Sequence, residues 1–478
     1  MSVSNLSDRQ QRAVDDLFRR IAPVADELGE LFEARGHELA LVGGSVRDVL
    51  LGRVGHDIDL TTDARPERVL EIVKDWADAV WTIGIDFGTV GVRKGGWQLE
   101  ITTYRSESYD PASRKPEVSY GDTLEGDLRR RDFAVNAMAV RVPSHEFVDP
   151  FGGLPDLSAK VLRTPGAPEE SFDDDPLRML RAARFASQLG FSVDPKAVEA
   201  MTAMAGRIEI VSAERIREEL DKLICGAHPR EGLAMLVDTG LAAHVLPELP
   251  KLRLEIDEHH RHKDVYEHTL IVLEQAVGLE TSGPDRVLRW AALLHDVGKP
   301  KTRRNEPGGR VSFHHHEVVG AQMAKKRLSE LKFPKDVVAD VSRLVELHLR
   351  FHGYGLGEWT DSAVRRYVRD AGHLLERLHK LTRADCTTRN KRKAAALSQT
   401  YDQLEDRISR LAEEEELAKI RPELDGNEIQ EILGLAPGPV IGRAYKHMLD
   451  IRMDEGMIGK EAAKEALLKW AHAQGILP

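Results

Sequence analysis

Two aspartates separated by one residue, Asp57 and Asp59, are the first candidates for chemistry in this chain. Residues i and i+2 of a strand point to the same face, so the two carboxylates can share divalent metal ions. Upstream, an apolar segment ends in Gly43-Gly44, and a short helix is predicted to follow. The backbone N–H groups of such a turn and of a helix N-terminus can bind phosphate oxygens. Together, these features predict a site for a nucleotide and its metal ions.

A third carboxylate, Glu100 in the predicted strand "WQLEITTYR", is a candidate partner for Asp57 and Asp59. Phosphoryl or nucleotidyl transfer requires mainly positioning and charge stabilisation, which metal ions held by carboxylates provide. These three residues are therefore the predicted catalytic residues. A single Asp-x-Asp beside a turn is more often structural, so the prediction depends on the segments around it.

Three arginines follow one another at intervals of three residues: Arg178, Arg181 and Arg184. This spacing places them on one side of a predicted helix. A guanidinium group is a planar set of donors that can bind the acceptor edge of cytosine, the ring nitrogens of adenine, or a triphosphate. The alternative is an ordinary solvated basic face. Pro176 suits the first helical position, so Asp175 is the predicted N-cap, and a carboxylate engaged in capping is less available to a base.

Another group of residues combines histidine with aspartate in the second half of the chain. Its members are His268, His295, Asp296, His316, His348 and Asp385. Neutral imidazole and carboxylate together suit Mn²⁺, Ni²⁺, Co²⁺, Mg²⁺ or iron. We choose His316 over His314 and His315 because the segment after it continues as a helix, with Val319 and Met323 at helical spacing.

Length and composition exclude several classes of protein. A chain of 478 residues is expected to form about three domains. The net charge of −11 argues against a protein that coats nucleic acid by charge alone. There is no apolar run of transmembrane length and no signal-peptide core in the first thirty residues, so we expect a cytoplasmic protein without a membrane partner. Cys225 and Cys386 are the only cysteines, so any metal site must use Asp, Glu and His.

The pattern of elements changes along the chain. Residues 37–165 mix helices with short apolar strands, including "DIDLTT", "AVNAMAV" and a hairpin around Gly95-Gly96. The segment 106–127 is rich in Pro, Gly, Ser and charge, which predicts a long mobile loop. From about residue 170 onward, apolar residues recur at helical spacing, so the rest of the chain is predicted to be mainly helical.

Several motifs occur in a specific order in the first half of the chain. They are Gly43-Gly44 with Arg47, Asp57-x-Asp59, "RRRDFAVNA" at 129–137, "DPFGG" at 149–153 and "DDDPLRMLRAARF" at 173–185. The set resembles the nucleotidyltransferases that build the CCA end of tRNA, and their relatives the bacterial poly(A) polymerases. The resemblance implies an α+β head with a polymerase-β-like mixed sheet, followed by an all-α neck, body and tail.

The resemblance also implies roles for particular residues. Gly44 and Arg47 would contact the triphosphate, and Asp57 and Asp59 would bind the catalytic Mg²⁺. The remaining nucleotide-binding residues would be Arg131 and Asp132, with Asn136 nearby, and the base-reading residues Asp175, Arg178, Arg181 and Arg184. The family usually has Glu-Asp where this chain has Asp174-Asp175, which weakens the assignment at these two positions.

The histidine and aspartate set resembles the HD phosphohydrolases. The implied metal ligands are His268, His295, Asp296 and Asp385, with His316 and His348 in the same pocket or on a second metal ion. The expected ion is a divalent transition metal or Mg²⁺. Some CCA-adding enzymes carry such a module, which is associated with phosphatase, 2′-nucleotidase and 2′,3′-cyclic phosphodiesterase activity. Typical bacterial poly(A) polymerases lack it and have basic extensions, which this acidic chain does not have.

These observations predict an enzyme that adds C, C and A to the 3′ end of tRNA from CTP and ATP. The alternatives are a poly(A) polymerase, a specialised CC-adding or A-adding enzyme, or an HD phosphohydrolase whose head only binds RNA. The expected parts are a nucleotidyltransferase head over 1–165 with a helical extension over 1–35, an RNA-binding and base-reading neck over 166–255, an HD domain over 256–390 and a tRNA-contacting tail over 391–478.

Overall fold

The chain forms two compact units, Met1–Pro250 and Lys251–Pro478. The computed structural model describes residues 12, 24–53, 57–108, 117–121, 123–254, 264–307, 311–353, 359–387, 391–415 and 421–477. None of the helices in these ranges combines the length and the apolar character that crossing a membrane requires.

The first unit is built on a mixed sheet of seven strands. The strands of this unit are β1 (Leu39–Val42), β2 (Asp57–Thr62), β3 (Ala79–Trp81), β4 (Thr89–Lys94), β5 (Trp97–Thr103), β6 (Arg105–Ser108), β7 (Glu117–Tyr120), β8 (Ala139–Val142), β9 (Phe147–Val148), β10 (Val161–Leu162) and β11 (Ser192–Val193). The sheet has the order β3-β4-β5-β2-β1-β8-β9. Only its β2–β5 pairing is parallel. The predicted mixed sheet is therefore confirmed.

Alternating residues explain why β4 and β5 have one buried and one open face. Val90 and Ile101 are fully buried, whereas Arg93 and Glu100 are exposed. The predicted hairpin at Gly95-Gly96 is confirmed: both glycines have positive φ, 56° and 85°, as a tight two-residue turn between antiparallel strands requires.

Helices cover this sheet and continue the first unit beyond it. They are α1 (24–33), α2 (Gly44–Leu50), α3 (Pro66–Val73), α4 (Leu124–Arg129), α5 (Gly153–Ala159), α6 (Pro168–Asp174), α7 (Leu177–Leu189), α8 (Pro195–Met204), α9 (Ala213–Ile224), α10 (Pro229–Asp238), α11 (Ala242–Val245) and α12 (Glu248–Lys251). Helix α7 packs against α9 and α10. Most of the predicted extension 1–35 lies outside the described residues, and α1 is its described part.

Two local expectations were wrong. The segment 106–127 is not one long loop, because β6 and β7 pair as antiparallel strands and α4 begins at Leu124. The Thr123 side chain caps α4 by accepting from the backbone N–H of Gly126, which a composition-based prediction overlooks. Residues 109–116 and 122 lie outside the described part. In "AVNAMAV", Ala134–Asn136 form a 3₁₀ helix, and the strand begins only at Ala139.

The second unit is mainly helical, as predicted. Its elements are α13 (Val265–Gly278), α14 (Arg286–Leu294), α15 (Lys299–Thr302), β12 (Arg304–Asn305), β13 (Val311–Ser312), α16 (His316–Glu330), α17 (Lys335–Leu347), α18 (Asp361–Ala371), α19 (Leu375–Asp385), α20 (Lys391–Glu415), α21 (Gly426–Leu433), α22 (Pro439–Glu455) and α23 (Lys460–Ala473). Helices α13, α14, α17 and α19 pack together, and α21–α23 share an apolar cluster centred on residues such as Ile429 and Leu467. The division of the chain into four parts stays a prediction.

Candidate active sites

A pocket in the first unit brings together most of the predicted site. It is lined by all ten predicted nucleotide-binding residues, Gly43, Gly44, Arg47, Arg131, Asp132, Asn136, Asp175, Arg178, Arg181 and Arg184. Asp59 lines the same pocket. These residues come from the β1–α2 turn, from β2, from the segment around α4, and from α7, so the sheet and the following helices both form the pocket.

Two of the three predicted catalytic residues, Asp59 and Glu100, are cross-strand neighbours. Asp59 and Glu100 are partners in the parallel β2–β5 register, and Asp57 lies two residues before Asp59 on the same strand. The backbone N–H of Asp59 donates to Ser45 Oγ at 3.0 Å, which ties β2 to α2. Among the described residues, Glu100 does not line the pocket, and the side chain of Asp57 lies outside the description.

Gly43 permits an unusually close approach at the first turn. Its φ of +68° disfavours other residues, and a Cβ placed there would lie 2.9 Å from Nη1 of Arg131. The same Cβ would lie 3.9 Å from Oδ2 of Asp59. The absence of a side chain at Gly43 thus leaves room for the guanidinium group of Arg131 beside the turn, near the predicted catalytic carboxylate of Asp59.

Asp127, which the sequence analysis missed, binds two arginines that line the pocket. It is fully buried, and its carboxylate accepts from Arg130 Nε at 3.0 Å and Arg131 Nη2 at 3.1 Å. It also accepts from Thr61 Oγ1 on β2 and from the backbone N–H of Arg105 on β6. Burial alone would raise the pKa of Asp127, but Arg131 and Arg130 hold it below its usual value. The available signal was its spacing, three and four residues before two arginines on a helix.

A chain of polar contacts joins α7 to the first turn. Asp132 is buried; its Oδ1 accepts from Asn136 Nδ2 at 2.9 Å, and its Oδ2 lies 2.6 Å from Arg181 Nη2. Asn136 Oδ1 accepts in turn from Arg47 Nη1 at 2.6 Å. Burial opposes ionisation of Asp132, yet Arg181 and the Asn136 hydrogen bond lower its pKa. An ionised Asp132 therefore orients Arg181, while Asn136 orients Arg47.

Arg184 pairs with a second residue that sequence reasoning missed, Glu219 on α9. The Nε–Oε2 distance is 2.6 Å, and both side chains are largely buried. The guanidinium of Arg184 lies 4.1 Å from the ring centroid of Phe185. Burial lowers the pKa of Arg184, and Glu219 opposes that shift. The spacing within α7 could not indicate this partner, because Glu219 belongs to a different helix.

Asp175 and Arg178 are also engaged by protein groups. The predicted N-cap was wrong by one residue, because α7 begins at Leu177 with Pro176 as its N-cap, and Asp175 is the C-cap of α6. The Oδ1 of Asp175 still accepts from the backbone N–H of Leu177 at 3.1 Å. Asp175 Oδ2 lies 2.9 Å from Arg215 Nη2. Arg178 is only 7% exposed, and it donates to Ser171 and to the backbone carbonyl of Arg130. A solvated basic face is therefore wrong for Arg178.

The second unit brings all six predicted metal ligands together. They form two groups, His268 with His295 and Asp385, and Asp296 with His316 and His348. Within each group, the candidate ligand atoms lie within 4.8 Å of one another. The groups adjoin, because Asp296 Oδ2 lies 3.2 Å from His295 Nε2. His314 and His315 are exposed and His316 is buried, which is the choice the sequence analysis made.

Each of the four histidines is oriented through its Nδ1. In three of them, Nδ1 lies near a backbone carbonyl oxygen: His295 near Ala292 at 2.8 Å, His316 near Phe313 at 2.8 Å and His348 near Val345 at 2.6 Å. The Nδ1 of His268 lies 3.2 Å from the hydroxyl oxygen of Thr387. A histidine that donates from Nδ1 keeps Nε2 available as a ligand. This pattern is typical of metal-binding histidines.

The electrostatics of this cluster favour a bound cation. Burial and the neighbouring His295 lower the pKa of His348 to about 3, so this imidazole is neutral. Its Nε2 is buried without a hydrogen-bond partner among the described residues. Asp296 and Asp385, against the effect of burial, raise the pKa of His295 to about 10, so the carboxylates attract positive charge. The donor set therefore fits one or two divalent ions.

Lys299 also belongs to the surroundings of this cluster and was missed. It is buried, and its Nζ lies 2.9 Å from Asp296 Oδ2. The signal was its position three residues after Asp296, on the same side of a helical turn.

Comparisons with known proteins bear on both sites. Family models described as the Poly A polymerase head domain, the probable RNA- and SrmB-binding site of polymerase A, and the HD domain match residues 39–163, 190–252 and 265–390. The A-adding tRNA nucleotidyltransferase of Deinococcus radiodurans is 35% identical over 440 residues, covering 90% of this chain and 95% of that protein. A CCA-adding enzyme of Streptococcus suis is 30% identical over 447 residues, covering 93% and 94%.

Solved structures resemble the whole chain. The crystal structure of the Bacillus stearothermophilus CCA-adding enzyme in complex with CTP matches with a TM-score of 0.68 and 25% sequence identity. The match covers 98% of this chain and 99% of that one. The similarity therefore extends through head and helical parts alike, in agreement with the expected fold class.

Proposed function

Because this chain belongs to the tRNA nucleotidyltransferase family, we propose that it adds C, C and A to the 3′ end of tRNA, using CTP and ATP. The observation that carries the proposal is the pocket in which Asp59, the Gly43-Gly44 turn and the arginines of α7 line one space. Such a pocket offers carboxylates for metal ions, donors for a triphosphate and donors for a base. A tRNA substrate also implies a cytoplasmic location.

Asp57 and Asp59 would hold Mg²⁺, with Glu100 as a further carboxylate on the same face. When bound there, Mg²⁺ lowers the pKa of the RNA 3′ hydroxyl and neutralises the α-phosphate as pyrophosphate leaves. The Gly43-Gly44 turn lets phosphate oxygens approach the backbone closely. Arg47 and Arg131 would bind the triphosphate, because Asn136 and Asp127 hold their guanidinium groups in place.

The base would be bound beside α7. The three arginines there differ in exposure: the Arg181 side chain is 37% exposed and that of Arg184 is 12% exposed, while Arg178 is 7% exposed as a residue. Arg181 is thus the arginine that is most available to a base, and Asp132 fixes its orientation. A guanidinium has five N–H donors, so an arginine paired with one carboxylate keeps further donors for a ligand. Arg178, Arg184 and Asp175 would then shape the pocket around the base.

A second candidate is addition of A alone. It is favoured by the name of the relative that is 35% identical over 90% of this chain, an A-adding tRNA nucleotidyltransferase. The deciding experiment supplies tRNA transcripts that lack the CCA end, or that end in C or in CC, together with labelled CTP, ATP or both. An unrelated RNA serves as the control substrate.

Product length separates the candidates in this assay. Addition of three nucleotides to the transcript without CCA supports CCA addition. Extension of only the CC-ending transcript by one A supports A addition, and long A tracts on both RNAs support a poly(A) polymerase. If the chain incorporates nothing but hydrolyses phosphate esters, the result supports the alternative of an HD phosphohydrolase.

For the second unit, we propose a metal-dependent phosphohydrolase site that acts on phosphate monoesters or 2′,3′-cyclic phosphates at RNA ends. The support is the buried cluster of four histidines and two aspartates with their Nε2 atoms directed inward. A bound divalent ion would supply an activated water there. Hydrolysis of an RNA with a 2′,3′-cyclic phosphate end, measured with Mn²⁺, Ni²⁺, Co²⁺ and Mg²⁺ in turn, tests both the activity and the metal preference.

A further inference from the structure

The pocket in the first unit has two sides, separated by the strand that carries the catalytic aspartates. In the sheet, β2 lies between β5 and β1. On the β1 side lie the Gly43-Gly44 turn and, beyond it, the residues assigned above to the nucleotide. On the β5 side, the pocket is lined by Thr102, Arg105, and Asp86 and Phe87 of the 3₁₀ helix Ile85–Phe87. None of these residues is among those assigned above to the incoming nucleotide.

Nucleotidyl transfer requires a second substrate on that other side. The attacking hydroxyl and the leaving pyrophosphate must lie roughly in line through the α-phosphate. Since the triphosphate is assigned to the β1 side of Asp59, the RNA 3′ hydroxyl must approach from the β5 side. The strand order itself therefore assigns the two substrates to opposite sides of the catalytic strand.

Phe87 is an exposed aromatic residue on the β5 side of the pocket. It is 53% exposed, although large aromatic side chains are usually buried, and it lines the pocket. The next residue lies close to an aromatic and a basic group: a Cβ added at Gly88 would lie 3.2 Å from the ring of Tyr120 and 3.9 Å from Arg105. The guanidinium of Arg65 lies 4.4 Å from the centroid of the Tyr120 ring. Exposed aromatic rings together with arginines are the usual means of binding single-stranded RNA.

We infer that Phe87 stacks on the terminal base of the RNA acceptor end, while Arg105 faces its phosphate backbone. This inference rests on the proposed function. Stacking suits the task because it is nearly independent of base identity. The terminal base changes with each addition, so a hydrogen-bonding contact specific for one base would fail at the next step. Phe87 is then a residue that binds the primer, distinct from those that select the nucleotide.

The test compares four variants with the wild type in incorporation assays on tRNA transcripts lacking CCA. Phe87→Ala removes the ring, Phe87→Leu keeps an apolar side chain without a stacking face, and Phe87→Tyr keeps the ring. Ile83→Ala is the matched control, because Ile83 is 92% exposed on the same segment but does not line the pocket. The measured quantities are the KM for RNA, the KM for CTP and kcat.

We expect the KM for RNA to rise about 10-fold in Phe87→Ala and to rise similarly in Phe87→Leu. The KM for CTP should be unchanged, and Phe87→Tyr and Ile83→Ala should behave like the wild type. An unchanged RNA KM in Phe87→Ala, or a rise in the CTP KM instead, overturns the inference. If Phe87→Ala does not fold, the KM for RNA of Phe87→Leu is compared with that of Phe87→Tyr. A higher value in Phe87→Leu supports the inference, and equal values overturn it.

The outcomes for the inference and for the proposed function are separable. If the wild type incorporates no nucleotide into tRNA, the proposed function itself fails. If the wild type is active and the Phe87 variants match it, only the assignment of the primer side fails.

Discussion

In the first unit, guanidinium groups are fixed by buried carboxylates, whereas in the second unit imidazole nitrogens and carboxylates converge on a common centre. Asp127 and Asp132 each bind an arginine that lines the pocket of this unit. In the other cluster, His348 presents a neutral, buried Nε2 without a hydrogen-bond partner among the described residues. The first arrangement suits an anionic substrate such as a triphosphate, and the second suits a cation.

The difference shows how the same residue types serve opposite purposes. A carboxylate in the first unit acts mainly through the arginine that it orients, so its removal should disturb the substrate indirectly. A carboxylate in the second unit is itself a candidate ligand, so its removal should abolish metal binding directly. The following predictions test this contrast.

The largest loss of activity is expected from Asp59→Ala. Unlike Asp127 and Asp132, which bind arginines, Asp59 is proposed to hold Mg²⁺ directly. Nucleotide incorporation should fall about a thousandfold or more, without loss of the fold. Product formation per time on tRNA lacking CCA measures the loss, and circular dichroism checks the fold. Asp75→Asn, an exposed aspartate in the same unit, is the control and should keep full activity. Retained incorporation in both Asp57→Ala and Asp59→Ala would rule out these residues as metal ligands.

The next effect is expected from Asp127→Ala, which leaves Arg130 and Arg131 without their buried partner. Breaking a buried ion pair in this way destabilises a protein by about 3–5 kcal/mol. The free energy of unfolding in urea measures this loss, and the KM for CTP should rise in the variant that remains folded. Arg129→Ala removes an arginine of the same run that lies in α4 but outside the pocket lining, and should change little.

The lowered pKa of Asp127 predicts that the stability of the fold depends on pH. An aspartate whose pKa is lower in the folded state stabilises the fold above its unfolded pKa of about 3.9, and this contribution disappears as the pH falls through the folded pKa. The wild type and Asp127→Asn should therefore differ in stability at neutral pH and converge below about pH 4. A stability difference that stays constant down to pH 2 would contradict the lowered pKa of Asp127.

A moderate effect is expected from metal binding in the second unit. A divalent ion at 100 times its Kd stabilises the form that binds it by about 2.7 kcal/mol. Added Mn²⁺, Ni²⁺ or Co²⁺ should raise the Tm of the wild type and chelation should lower it, whereas Asp296→Ala should show neither response. Asp336→Asn, an exposed aspartate on α17, is the control. Asp296→Ala should lose phosphohydrolase activity and keep nucleotide incorporation. Loss of both activities would argue against separate sites for the two reactions.

The smallest effect is expected from Arg181→Ala. Because Arg181 is the most exposed of the three α7 arginines, we expect its loss to change the CTP to ATP preference or to weaken nucleotide binding about 10-fold. Kinetics with each nucleotide on CC-ending and CCA-lacking transcripts measure the change. Unchanged kinetics would mean that Arg181 serves only as the partner of Asp132.

Much of both sites was accessible from local spacing. The Asp-x-Asp period of two, the Gly-Gly turn and the three-residue spacing of the arginines are consequences of strand and helix geometry, which depend on neighbouring residues alone. His316, which was preferred over two adjacent histidines, is buried and is the first residue of α16, whereas His314 and His315 are exposed and precede that helix. By contrast, the loop expected over 106–127 was wrong, because β6 and β7 are stabilised by pairing with each other rather than by composition.

The sequence by itself determined the types of chemistry, the order of the motifs and the faces on which the active residues lie. Only the tertiary structure decided that Glu219 is the partner of Arg184 and that Asp127 is fully buried between β2, β6 and two arginines. It also decided that Phe87 stays exposed in the pocket that Asp59 lines. The physical reason is that periodicity follows from the geometry of one segment. Burial and ion pairing depend on which distant segments pack together, and that is a property of the whole core.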